Sequence, residues 1–122
     1  MKYRQIVLES GTKFFLGKDA ESNDELMKKF RGKENTILHT VAPGSPFCVI
    51  EEMEPTEKDI HAAGVLCARY SQDWRNNKGD VSVNVFTGKD VSKGKADKPG
   101  TWKVKKSKVI KIKKEDILKL IT

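Results

Sequence analysis

Few side chains in this chain are of the kind that make or break bonds, and three of them share one short stretch. His39, Ser45 and Cys48 all lie in HTVAPGSPFCVI, residues 39–50. A second imidazole, His61, a second thiol, Cys67, and a run of carboxylates, Glu51, Glu52 and Glu54, follow soon after. Two His and two Cys make a zinc set by count alone. His61 and Cys67 stand six residues apart in a helical stretch and face different ways, and the short ligand pairs that zinc sites use are absent. A nucleophilic Ser45 with His39 as base needs an orienting third group and an oxyanion hole, and nothing in the chain marks either. Carboxylates ahead of a helix start read as a solvated bend that complements the helix dipole. There is no G-x-x-x-x-G-K-[ST] loop. No catalytic residue, metal or cofactor is expected. A small hydrolase-like enzyme built on His39 and Ser45 stays as an alternative, to be recognised by a deep pocket joining them to a third polar group.

Charge says more. The 122 residues carry a net charge of +7. Residues 1–87 hold 12 Lys or Arg against 13 Asp or Glu, whereas residues 88–122 hold 12 Lys against 4 acids. The whole excess lies in the last third. Such asymmetry points to a polyanion, nucleic acid before an acidic membrane surface; the competing reading is a solvated lysine face. Lys89, Lys93, Lys95 and Lys98 recur at short intervals between Gly88, Gly94 and Gly100. Lysines so spaced can follow a phosphodiester backbone, and glycines let it approach. Arg69 and Arg75 stand on the helix before them. Tyr70, Trp74 and Trp102 read as core or half-buried residues rather than base-stacking platforms. No apolar run nears the ~18 residues of a membrane span. The N-terminus shows no signal-peptide pattern, and two cysteines in apolar surroundings suit reduced thiols, so a cytoplasmic location away from membranes is expected.

The elements that must hold these residues follow from periodicity. Residues 3–8 and 13–16 read as a hairpin about Ser10-Gly11. Ser22 with Glu25 reads as a capping box opening a short helix that Gly32 ends. Strands are expected at 36–40 and 47–51. Phe47 to Ile50 is apolar on both faces, which makes it a central strand covered on each side. Thr56 caps the longest helix, expected to run to about Trp74, with small residues on its middle turns that let it lie close to a sheet. Val81, Val83 and Val85 alternate inward along a strand. Residues 87–100 read as a long polar loop, 101–104 and 109–112 as a hairpin, and 114–120 as a last short helix. The sum is one α+β domain over residues 1–122, with a mostly antiparallel sheet, one long helix and two short ones.

The order of these pieces resembles a known family. Gly17-Lys18 with Asn23-Asp24-x-Leu26 comes first. His39 with Pro43-Gly44-Ser45 and an apolar strand follow, then a small-residue helix ending Tyr70-Ser71 and a valine strand. Lys89-Asp90-Val91-x-Lys93, Lys98-Pro99-Gly100 and a basic closing hairpin complete the order. Together they resemble the NFACT-R domain, the RNA-binding module of ribosome quality-control and fibronectin-binding-like NFACT proteins, over roughly residues 3–112. The resemblance implies a non-catalytic, cytosolic role on ribosomal RNA or tRNA, with the ribosome as a further partner. It places His39, Gly44 and Ser45 on the family's His and Gly-Ser, and Lys89, Lys93 and Lys98 on its basic loop. Two positions depart: Ile37-Leu38 stands where an aromatic commonly precedes the His, and Pro46 where His commonly follows Gly-Ser. The chain reads as this module standing alone. Two readings of His39 stay open. In one, Ser45 Oγ and nearby amides meet a phosphate or sugar oxygen with His39 as a donor beside them. In the other, His39 is a half-buried strand residue bonded to a backbone carbonyl. A protein-binding adaptor on the ribosome is the alternative to RNA contact.

Overall fold

Tyr3 and Phe15 bury their rings edge to face, with centroids 5.6 Å apart, and around them the chain makes its first hairpin. In this computed structural model, which describes residues 2–94 and 97–121, β1 (Arg4–Val7) pairs antiparallel with β2 (Lys13–Leu16). β3 (Thr36–Thr40), β4 (Cys48–Ile50), β5 (Val81–Thr87) and β8 (Lys108–Ile112) complete a six-stranded sheet ordered β1-β2-β4-β3-β5-β8. Every pairing in it is antiparallel. β4 lies inside the sheet with all three residues buried, as its two-faced apolarity predicts. A separate two-stranded ribbon joins β6 (Val91–Ser92) to β7 (Lys103–Val104).

Helices cover both faces. α2 (Glu57–Arg69), α3 (Gln72–Asn77) and α4 (Lys114–Ile121) cover one, packing Leu66, Trp74 and Ile117 against Phe14, Leu38, Ile50 and Val83. The small residues of α2 act as expected: a Cβ built on Gly64 would stand 2.7 Å from Ile112 Cδ1, so a larger residue would force the Ile112 side chain to move. On the other face, α1 (Ala20–Phe30) brings Leu26, Met27 and Phe30 onto Phe15, Ile37 and Val49, and Val91 of the ribbon and Trp102 just before β7 join them. Each large apolar side chain so buried contributes about 1.5–3 kcal/mol.

Four boundaries differ from the sequence reading, each for a local reason. α1 is capped by Asp19, not Ser22. The Asp19 carboxylate takes the Ser22 N–H at 2.8 Å, and the Ser22 hydroxyl takes the Asp19 N–H at 3.0 Å, so serine is the third helical residue of the box rather than its cap. The long helix is two helices, giving four in place of three. Ser71 Oγ donates to the Ala68 carbonyl at 2.6 Å and accepts the Trp74 N–H at 3.2 Å, closing α2 and capping α3. The break keeps Trp74 on the buried face, so periodicity alone does not reveal it. Thr87–Gly100 is partly structured, as a 3-10 turn at Gly88–Asp90 followed by β6. Finally, residues 103–104 pair with β6 rather than β8. β8 forms a five-residue ladder with β5, while the Trp102 indole is held on the opposite face by Asp24 at 2.8 Å.

Ser71→Ala removes a buried cap, so a loss of about 1 kcal/mol in folding stability is expected, measured by urea denaturation of the two proteins.

Candidate nucleic-acid interface

The bend between β3 and β4 is held from below. Gly44 has φ +89, a backbone that favours glycine, and a Cβ there would stand 2.8 Å from the Gln72 Cβ. Its carbonyl accepts the Gln72 N–H at 2.8 Å. Because the helix breaks at Ser71, that N–H is free to reach outward. On the other side, Asn23 Oδ1 accepts the Phe47 N–H at 3.1 Å and its amide nitrogen reaches the Ser45 carbonyl at 3.5 Å, both buried. The bend is thus fixed between α1 and α3 by backbone contacts.

Above it opens a groove of about 490 Å³. His39, Asn84, Phe47 and Phe86 contribute from the sheet, the 17–23 turn and Arg4 from one side, and Tyr70, Gln72 and Arg75 from another. Residues 99–102 and Val104 close the last side. Arg4 places its guanidinium 4.5 Å from the Tyr70 ring centre and donates to the Gly17 carbonyl at 3.3 Å. Arg75 donates to Gln72 Oε1 at 2.8 Å.

The structure brings some of the expected residues together and separates others. His39, Gly44, Ser45 and Arg75 all line the groove. Arg69 stands just behind the rim, 5.4 Å from the Tyr70 ring, and Lys98 is exposed beside Pro99 at its lip. Lys93 lies under that lip. Its ammonium bonds the Asp24 carboxylate at 3.1 Å and the carbonyls of Lys98 and Thr101 at 2.9 and 3.0 Å, so all three of its donors are engaged. Lys89 bonds Glu34 at 2.8 Å beyond the Thr36–Thr87 end of the β3–β5 pair, away from His39. Lys95 falls outside the described residues. Lys106, Lys108 and Lys111 line a second groove, of about 670 Å³, with apolar Ile60, Val85 and Ile110. The basic residues of the last third therefore divide between places instead of forming one face.

At the bend, the expected role of the Ser45 hydroxyl is corrected, and His39 matches the second of its two open readings. The Ser45 hydroxyl turns inward: it accepts the Thr40 N–H at 3.0 Å, donates to the Pro46 carbonyl at 3.0 Å, and lies 3.8 Å from Cys67 Sγ. It fixes the shape of the bend and does not face the groove. His39 Nδ1 bonds the Thr40 carbonyl at 2.8 Å while its ring packs on Phe47 at 4.5 Å, the arrangement of a half-buried strand residue. Burial holds its pKa below the ordinary value, against the pull of the Thr40 and Ser45 carbonyls, so the ring is neutral at pH 7. Neither residue serves the other as nucleophile and base. Burial also pushes the Cys67 thiol up to about 12 and Cys48 well above its usual range, which keeps both protonated.

The sequence reading missed Arg4, Lys18, Asn84 and Asp24, and took Tyr70 as core or half-buried rather than as a stacking platform; Tyr70 is 36% exposed at the rim. Trp74 and Trp102 are buried as expected. Asp24 sat within a quoted motif, yet nothing local shows that one carboxylate oxygen collects Trp102 Nε1, the Gly100 N–H and Lys93 Nζ.

A groove with cations and an exposed aromatic at its rim thus opens on one face of a small α+β domain. The chain belongs to the family described as the NFACT protein RNA binding domain, which it matches over residues 2–106. Among curated proteins it resembles the archaeal Rqc2 homolog aRqcH of Methanocaldococcus jannaschii, at 26% identity over 94 residues. That match takes in 75% of this chain and 14% of the relative, so the chain spans about one seventh of that protein's length. Among solved structures it resembles the C-terminal part of the fibronectin/fibrinogen-binding protein from Streptococcus suis, with a TM-score of 0.84 and 24% identity over 98% of this chain and 49% of that one. Among the described residues, no helix is long and apolar enough to cross a membrane.

Proposed function

We propose that residues 1–122 act as one RNA-binding domain, in the cytoplasm, that engages ribosomal RNA or tRNA through the groove above the Pro43–Pro46 bend, without catalysis. The observation that carries this reading is the convergence of Arg4, Lys18 and Arg75 on that groove in a chain of an RNA-binding family. Phosphates are held at the cationic rim, and Tyr70, backed by Arg4 and Arg69, offers a ring face to an unpaired base. Lys98 extends the cationic track along the lip. Lys89 and Lys93 brace the fold, Lys93 by fixing the loop that forms one wall. The likeness to an archaeal Rqc2 homolog supports a task in ribosome quality control.

The test is affinity for single-stranded RNA across a salt series. Three neutralised phosphates predict a log–log slope of about −2.1, or about a twentyfold loss from about 50 to about 200 mM salt. Binding indifferent to salt would reject the mechanism.

A second reading, a protein-binding adaptor, is favoured by the apolar second groove between α2 and β8. Its sign is a ribosomal association that survives nuclease and is lost in Ile60→Asp.

A further inference from the structure

Resting on the reading that the groove binds RNA, we propose that His39 and Asn84 together form a site for a ribose 2′-hydroxyl and give the domain a preference for RNA over DNA. The two residues are direct partners across β3 and β5, so their side chains stand side by side on one face, and both line the groove. Each has one polar atom already committed. His39 Nδ1 lies 2.8 Å from the Thr40 carbonyl. A carbonyl only accepts, so Nδ1 carries the proton and Nε2 of the neutral ring is an acceptor. Burial favours that neutral form. Packing on Phe47 at 4.5 Å holds the ring in place. Asn84 Oδ1 accepts the Ser107 hydroxyl at 3.4 Å, which orients the amide and leaves its nitrogen as a donor.

An acceptor beside a donor matches a group that both donates and accepts, and among nucleotide parts that group is the 2′-hydroxyl. It donates to His39 Nε2 and accepts from the Asn84 amide. Deoxyribose supplies neither bond and leaves both groups unpaired in a half-buried place. A phosphate does not fit, because a neutral Nε2 repels an oxyanion.

The experiment compares one single-stranded sequence made as RNA, as DNA and as 2′-O-methyl RNA, by fluorescence anisotropy. RNA is expected to bind about tenfold tighter than DNA. The 2′-O-methyl form, which has lost its donor, should fall to the DNA level. His39→Phe should remove the RNA advantage, and Asn84→Ala should narrow it. Equal affinity of the native protein for RNA and DNA overturns the proposal but leaves RNA binding standing. Binding to neither overturns both. Equal losses on RNA and DNA in His39→Phe would assign that ring a purely structural part and overturn the proposal. Should His39→Phe fail to fold, the three nucleic acids and Asn84→Ala decide.

Discussion

Asp24→Ala is expected to lose about 3 kcal/mol of folding stability and to expose the 97–102 segment to protease. Asp24 Oδ1 accepts Trp102 Nε1 at 2.8 Å, the Gly100 N–H at 2.9 Å and Lys93 Nζ at 3.1 Å. The Asp24 and Lys93 side chains are only 18% and 20% exposed, so water replaces the lost acceptor poorly. Alanine leaves an indole N–H, a backbone N–H and an ammonium short of a partner together. Since these contacts hold one wall of the groove, RNA affinity should fall as well. The pH dependence has a definite sign. Burial pushes the Asp24 carboxyl up, but the hydrogen bonds from Trp102, Gly100 and Lys93 outweigh it and hold it below its ordinary 3.8. A depressed folded-state pKa gives stability that is present above the unfolded value and lost as pH falls through the folded one. The native protein and Asp24→Ala should therefore differ most near neutrality and converge below about pH 4. Urea denaturation at several pH values checks this, and a gap that stays constant into acid would refute the account.

The double change Arg4→Gln, Arg75→Gln should weaken RNA binding about a hundredfold, from two charge-assisted contacts of about 1.5 kcal/mol each. It should also flatten the salt slope by about 1.4. Glutamine keeps much of each side chain's length and polarity, so thermal unfolding should change little. Lys89→Gln is the control: its ammonium is paired with Glu34 away from His39, and affinity should hardly move. A Lys89 effect equal to that of the arginine pair would shift the contact surface to the other end of the sheet.

The readable parts of the fold were those with strong local signals. The valine alternation of β5, the two-faced apolarity of β4 and the Thr56–Asp59 box of α2 all depend on near neighbours. The misses came where a local signal has two solutions. Asp19 and Ser22 are both good caps, and their mutual hydrogen bonds decide which one begins the helix. The helix pattern runs through Ser71 because the break preserves the buried face. At the site, His39, Gly44 and Arg75 were found through the bend and the helix. Arg4, Lys18 and Asn84 come from segments distant in sequence, and only sheet order brings them there. A run of lysines shows how much charge the chain carries, not which ammonium groups have carboxylate partners; Lys93 and Asp24 are 69 positions apart.

The tie from the Gly44 carbonyl to the Gln72 amide joins the β3–β4 bend to the start of α3, main chain to main chain. Apart from Gly44, where a Cβ would meet Gln72, its strength does not depend on which side chains flank it, so the mouth's outline can persist while its surface chemistry drifts. An insertion or deletion in the bend or at the α2–α3 junction is another matter, since it would pull the two out of step. At this corner of the molecule the geometry therefore constrains segment length, together with the glycine at position 44.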